Sequence, residues 1–166
     1  MNQFSPDTRV MLGPWLQSVA RVWRAATDTA FAAYGLSFST GMALIYVHRL
    51  GGSMRQGELA RCMGIEGPSL VRLLDQLVAA GLVLRRDDAL DRRGKHVDIT
   101  AAGAALMQGL EPCLEQVRGR MLAGVSAADL TATLRVLTSI AQAGGMDLPA
   151  PVAGGNLGAG AGLERT

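Results

Sequence analysis

Gly64-Ile65-Glu66-Gly67-Pro68-Ser69-Leu70-Val71-Arg72-Leu73-Leu74-Asp75-Gln76-Leu77, with Ala80-Gly81-Leu82-Val83 close behind, is the stretch whose reading decides the fold. Gly64 to Gly67 reads as a tight turn. Pro68 follows in the first turn of a helix, where its missing N–H costs nothing. At about 100° per residue, Leu70, Leu74, Leu77 and Val78 share one arc and Ser69, Arg72 and Gln76 the opposite one. Gly81 stops the helix. Upstream, Arg55 to Met63 reads as a short helix with Leu59, Cys62 and Met63 inward and Glu58 and Arg61 outward. Ser53-x-x-Gln56 has the spacing of a capping box; a later start leaves Arg55 as a poor cap. Two helices joined by a short Gly-containing turn make a helix-turn-helix.

Downstream, Val83-Leu84-Arg85-Arg86 and His96-Val97-Asp98-Ile99 read as two strands around a polar loop with Asp91, Arg92, Arg93, Gly94 and Lys95. A helix-turn-helix followed directly by such a hairpin is a winged helix. Charge at a loop tip is ordinarily a solubility feature, and a polar helical arc is ordinarily a solvated face. Their succession is what points to DNA. Arg72 suits guanine, Gln76 suits adenine, and Ser69 suits a base or a phosphate. An arginine at the hairpin tip suits a narrow minor groove. Asp91 suits no phosphate, but a carboxylate there can hold an arginine's planar fork in one rotamer.

Outward from this core the pattern is helical. Leu12, Leu16, Val19, Trp23, Ala26 and Ala30 recur at steps of three and four, predicting a long helix from about Thr8 to Tyr34. A second helix is expected from Ser39 to Arg49, ended by Gly51-Gly52, with His48 as a helix-end or core histidine. Thr100 can cap a helix reaching Leu122, with Leu106, Leu110, Leu114, Val117 and Met121 as its stripe and Pro112 inside it. Ser126 to Asp129 opens a last helix with Leu130, Leu134, Leu137 and Ala141 inward. The stretch 145–166 is rich in Gly, Ala and Pro and reads as a disordered tail.

The composition agrees. Of 166 residues, 49% are apolar but only 4% aromatic, so the core must be built from aliphatic residues and Met. The net charge of +2 does not by itself demand nucleic acid, so a DNA-binding reading rests on where the arginines sit. Cys62 and Cys113 form no metal or disulfide pattern and fall on apolar faces, where a free cysteine is usually inert. No metal site is expected, and no catalytic constellation either, so the chain is not expected to be an enzyme. No run of 18 apolar residues and no leader-like N-terminus is found, which predicts a cytoplasmic protein without contact to a membrane.

The quoted helix, with Asp91-Arg92-Arg93 and then Ile99-Thr100 and Gly103, resembles the recognition helix and wing of the MarR family of transcription regulators. Ile65-Glu66, Pro68-Ser69-Leu70-Val71-Arg72, the Asp-Arg-Arg-x-Lys wing and Ala20-Arg21-Val22-Trp23-Arg24-Ala25 are most similar to the SlyA branch. The resemblance covers roughly Leu12 to Ile140. It implies a mostly α fold with a small β-hairpin: a winged helix-turn-helix lobe over 37–100, flanked by long dimerisation helices over 1–36 and 101–144. It further implies a homodimer on double-stranded DNA with a pseudo-palindromic operator. Pro68, Ser69, Arg72 and Gln76 would lie in the major groove and Arg93, oriented by Asp91, in the minor groove, with Arg92 and Lys95 beside it. No cofactor is implied. A small aromatic or anionic effector is, near Arg21, Phe38, Gly41 and Ile45. Gly41 and Ile45 replace bulkier groups of the SlyA branch, and His96 replaces an arginine. The rival reading is a winged helix used only as a protein-interaction module.

Overall fold

The computed structural model describes residues 6–87 and 94–146. Among these residues, six helices and three short strands follow in the order α1 (Pro6–Ala32), α2 (Phe38–Arg49), β1 (Ser53–Arg55), α3 (Gln56–Met63), α4 (Gly67–Ala79), β2 (Val83–Asp87), β3 (Lys95–Ile99), α5 (Ala101–Met121) and α6 (Ala127–Ala143). The mostly α, winged-helix expectation matches. The residues expected as a tail lie, from 147 onward, outside the described residues.

One element was missed. Ser53–Arg55 is a strand that pairs antiparallel with β3, so the sheet has three strands in the order β1-β3-β2. A capping box at Ser53 is excluded, because α3 begins at Gln56, which places Ser53 two residues before the N-cap. Arg55 is the N-cap of α3 and makes no side-chain capping bond. At the other end of α3, Gly64 takes the left-handed conformation that a residue without Cβ adopts most cheaply, and Ile65 N–H returns to Ala60 O at 3.1 Å.

The core lies under the helix-turn-helix. Leu70, Leu74 and Leu77 of α4 are fully buried and share one cluster with Leu44 of α2, Leu59 of α3, and Val83 and Val97 of the hairpin. Val78, expected inward, is instead 38% exposed at the edge of that arc. The cluster reaches α5 through Met107, Leu110 and Leu114, and α1 through Phe31. Thr100 joins the hairpin to α5. Its hydroxyl donates to Gly81 O at 2.7 Å and accepts from Gly103 N–H at 3.0 Å, which caps the helix. Gly103 has no room for a side chain, because a Cβ there would run into the Leu82 carbonyl oxygen and lie 2.8 Å from Ile99 Cγ1.

The flanking helices differ. The C-terminal part of α1 joins the core through Thr27 and Phe31, but Trp15 is 64% and Val19 59% exposed. None of the 17 residues of α6 is buried, and Leu134, expected inward, is 54% exposed in the single chain. Inside α5, Pro112 removes the N–H that would bond the Gln108 carbonyl. One residue on, Gly109 O accepts a bond of 3.0 Å from the Tyr34 hydroxyl. Two half-buried groups tie α2 to α5: Arg49 Nε and Nη2 donate to the two carboxylate oxygens of Glu111 at 2.7 and 2.5 Å.

The bidentate bond raises the Arg49 pKa and holds the Glu111 carboxyl below its ordinary value of 4.5. A depressed carboxyl contributes stability that is complete above its ordinary value and is lost as pH falls through the folded one. Glu111→Gln is expected to cost about 1 kcal/mol at neutral pH. The gap to wild type should close on acidification below pH 4.5. Thermal unfolding between pH 3.5 and 7, on the order of six points, checks this; a gap that stays constant down to the lowest pH would refute it.

Candidate nucleic-acid interface

Burial of Leu70, Leu74 and Leu77 fixes which side of α4 faces water. Pro68, Ser69, Arg72 and Gln76 are all exposed. The structure therefore brings the four expected helix residues together on one free surface. Among the described residues Arg72 makes no ion pair, so its five N–H donors are available to a ligand. Asp75 lies one turn further on, where it could have captured Arg72. It pairs instead with Arg85 of β2. That contact removes a competing acid from Arg72 and also ties the helix to the hairpin.

A second arginine holds the sheet together. Arg86 of β2 bonds Asp98 of β3 through Nε, and its Nη2 lies 3.3 Å from both Asp98 Oδ1 and Ser53 Oγ of β1. One guanidinium thus spans three strands. The Arg86 bond is the main reason the Asp98 carboxyl sits below its usual range. At the loop end of the hairpin Lys95 pairs with Asp87, the residue opposite it in register. Asp91, Arg92 and Arg93 lie outside the described residues. Only the strand ends that flank them, Asp87 and Lys95, are described.

Sequence reasoning assigned no role to Asp75, Arg85, Arg86 or Asp98, and to Ser53 only a capping one. Arg86 and Asp98 meet only because Val83 pairs with Ile99, and that register follows from strand packing rather than from any motif.

The residues expected near an effector are less gathered. Gly41 and Ile45 are buried, and the Phe31 ring occupies the space that a side chain at 41 would need. Arg24, not Arg21, lies over the Phe38 ring, 5.1 Å from its centroid. Asp28 accepts the Phe38 N–H at 2.6 Å, while Arg21 is exposed. The cysteines are half-buried and unpaired as a disulfide; Cys113 Sγ sits 3.5 Å from Ala30 O. His48 lies in the last turn of α2. Among the described residues no three potential metal ligands cluster, and no helix is long and apolar enough to cross a membrane.

This arrangement has counterparts among known proteins. Residues 34–94 match the family model described as MarR family. The solved transcriptional regulator PA3341 is 36% identical, over 79% of this chain and 96% of its own, with a TM-score of 0.72. CouR from Rhodococcus jostii RHA1, solved with p-coumaroyl-CoA bound, is 25% identical over 78% of this chain and 91% of its own, with a TM-score of 0.71. A mutant MarR from E. coli, solved in complex with operator DNA, is 19% identical over 81% of this chain and 96% of its own. Its TM-score of 0.73 makes it a likeness of fold.

The Asp75–Arg85 contact is an exposed pair, so its worth is small but measurable. A double-mutant cycle with Asp75→Ala and Arg85→Ala is expected to give a coupling of about 0.3–1 kcal/mol in unfolding free energy. Additive losses would show that the helix and the strand are not tied through these side chains.

Proposed function

The chain belongs to the MarR family of transcription regulators, and on that premise we propose a homodimer that reads a pseudo-palindromic operator in double-stranded DNA. The observation that carries this reading is the face of α4. Ser69, Arg72 and Gln76 stand free while the opposite arc is locked in the core. Each protomer inserts α4 into a major groove, and the two helices sit about 34 Å apart along the duplex. Arg93, held by Asp91, enters the flanking minor groove, with Arg92 and Lys95 on the backbone beside it. Occupation of a promoter excludes polymerase, which makes the protein a repressor in the cytoplasm. The DNA-bound MarR relative supports this use of the fold.

Support for the dimer comes from α1 and α6. Helices in proteins draw most of their stability from packing of an apolar face, and no residue of α6 is fully buried within its own chain. A second copy that covers Trp15, Val19, Leu134 and Ile140 supplies the missing contact through interleaved α1, α5 and α6. The interface should exceed ~2,000 Å², as obligate dimers do. The partition into a 37–100 reading lobe and 1–36 with 101–144 dimerisation helices follows from this. An effector, if aromatic and anionic as the p-coumaroyl-CoA of CouR is, would act between these two parts, near Arg21, Phe38, Gly41 and Ile45. Its leverage is its differential affinity for two spacings of the reading lobes.

Leu134→Asp tests the assembly. Sedimentation should find aggregate or unfolded protein, and a well-folded monomer that still binds a full operator tightly would contradict the dimer. Arg72→Ala tests the reading face. It should weaken operator binding by about 1–3 kcal/mol and relax preference at one position per half-site. Arg93→Ala should cost a similar amount, concentrated on sites with AT-rich flanks. Asp91→Ala should weaken binding too, although removal of an acid near DNA tightens it on electrostatics alone. Tighter binding on every sequence would mean that Asp91 does not orient Arg93.

A further inference from the structure

We propose that the bidentate pair of Arg49 and Glu111 is a latch that fixes the angle between the reading lobe and α5, and so sets the spacing of half-sites that the dimer accepts. The chain joins the lobe to the long helices at two places: the link 33–37 between α1 and α2, and Thr100 between β3 and α5. At the first joint Asp28 accepts the Phe38 N–H at 2.6 Å. At the second the Thr100 hydroxyl donates to Gly81 O, and Gly103 lies hard against the Leu82 carbonyl. Two joints leave the lobe free to turn about the line between them. Arg49 stands in the last turn of α2, roughly 16 Å along the helix from Phe38, and Glu111 lies about as far along α5 from Thr100. A contact set away from both joints opposes that turn.

Ala43, Leu44 and Val47 of α2 are buried in the cluster that holds Leu70, Leu74 and Leu77, so a rotation of α2 is a rotation of α4. That cluster also reaches Met107, Leu110 and Leu114 of α5. Apolar contact is non-directional, however, and does not by itself fix an angle. The guanidinium fork does. Its Nε and Nη2 meet the two carboxylate oxygens at 2.7 and 2.5 Å, which is one geometry and no other. The two side chains are only 21% and 31% exposed, so water replaces the contact in part. Glu115, one turn further along α5, is engaged by Arg118 at 2.9 Å and does not draw Arg49 away. A base pair added between two half-sites moves them apart by about 3.4 Å and rotates one against the other by about 35°. A latched lobe resists that change and an unlatched lobe follows it. Arg49 and Glu111 are positioning residues: they read no base and act by placing α4.

The inference rests on the reading of the chain as a DNA-binding dimer, and its test separates the two. The full chain is titrated against the tightest duplex recovered from a random pool, and against the same half-sites moved one base pair closer or further apart. The wild type should prefer the recovered spacing. Glu111→Gln and Arg49→Gln should each lower that preference, by about fivefold for each latch that the misfit would strain. The double variant should fall no further than either single one, because the contact is already lost. Arg49→Lys keeps the charge without the fork, should lie between, and decides the question if the other variants fail to fold. Ser126→Ala removes the cap that the α6 Asp129 N–H binds at 3.1 Å, a loss of stability outside the α2–α5 contact, and should keep the wild-type preference. An unchanged preference in Glu111→Gln or Arg49→Lys overturns the latch. So does an equal loss in Ser126→Ala, which would make the effect one of stability alone, and so does a wild type that binds every spacing alike. A recovered motif alongside a failed latch leaves the DNA reading standing; no recovered motif in the wild type would remove both.

Discussion

The burial of Leu70, Leu74 and Leu77 is the contact on which the rest depends. Three leucines at helical spacing fill the space between α2, α3 and the hairpin. Each is worth about 2–5 kcal/mol against truncation to Ala in a packed core. With that arc committed, α4 has one orientation, and Ser69, Arg72 and Gln76 have no choice but to face water. The core also reaches Val83 and Val97, so the same leucines anchor the two strands of the hairpin. A reading helix and a wing that share one core move as one body. This is what a protein needs if two contacts in neighbouring grooves are to keep register.

Two kinds of surface surround that core. Around α3, α4 and the hairpin the outside is polar, and two of its acids are consumed by arginines of the sheet: Asp75 by Arg85, Asp98 by Arg86. Such exposed pairs contribute little to stability. Their effect is on the field, because they leave Arg72 and Arg61 as cations without an internal partner among the described residues. Along α1 and α6 the outside is apolar, with Trp15, Val19 and Leu134 more than half exposed. Contiguous apolar helix surface of this kind calls for another protein surface. Between the two regions, Arg49 and Glu111 form a half-buried bidentate link from α2 to α5. A shift of α2 relative to α5 has to strain or break it.

Much of this was legible in the sequence. Stripes at steps of three and four located α1, α3, α4, α5 and α6, while α2 was placed by the Gly51-Gly52 stop behind it. Thr100 and Ser126 announced their helices through side-chain caps that the structure contains. The strand at Ser53–Arg55 was not legible, since three residues carry no period and become a strand only through pairing with β3. Val78 was misplaced because a helical arc sets direction but not depth. The ion pairs of the wing depend on register, and the cation over Phe38 on which turn of α1 crosses α2. For the effector residues, the sequence could not show that Phe31 fills the space beside Gly41.

The central claim is that a symmetric pair of α4 helices reads DNA. Selection of bound duplexes from a random pool by the wild-type chain tests it most directly. The account predicts an enriched motif of two inverted half-sites with centres about 10 bp apart, one helical turn, flanked by AT-rich sequence. A single unrepeated half-site would contradict the dimer. No enrichment at all would mean that the exposed face of α4 is a solvated surface and not a reader of bases.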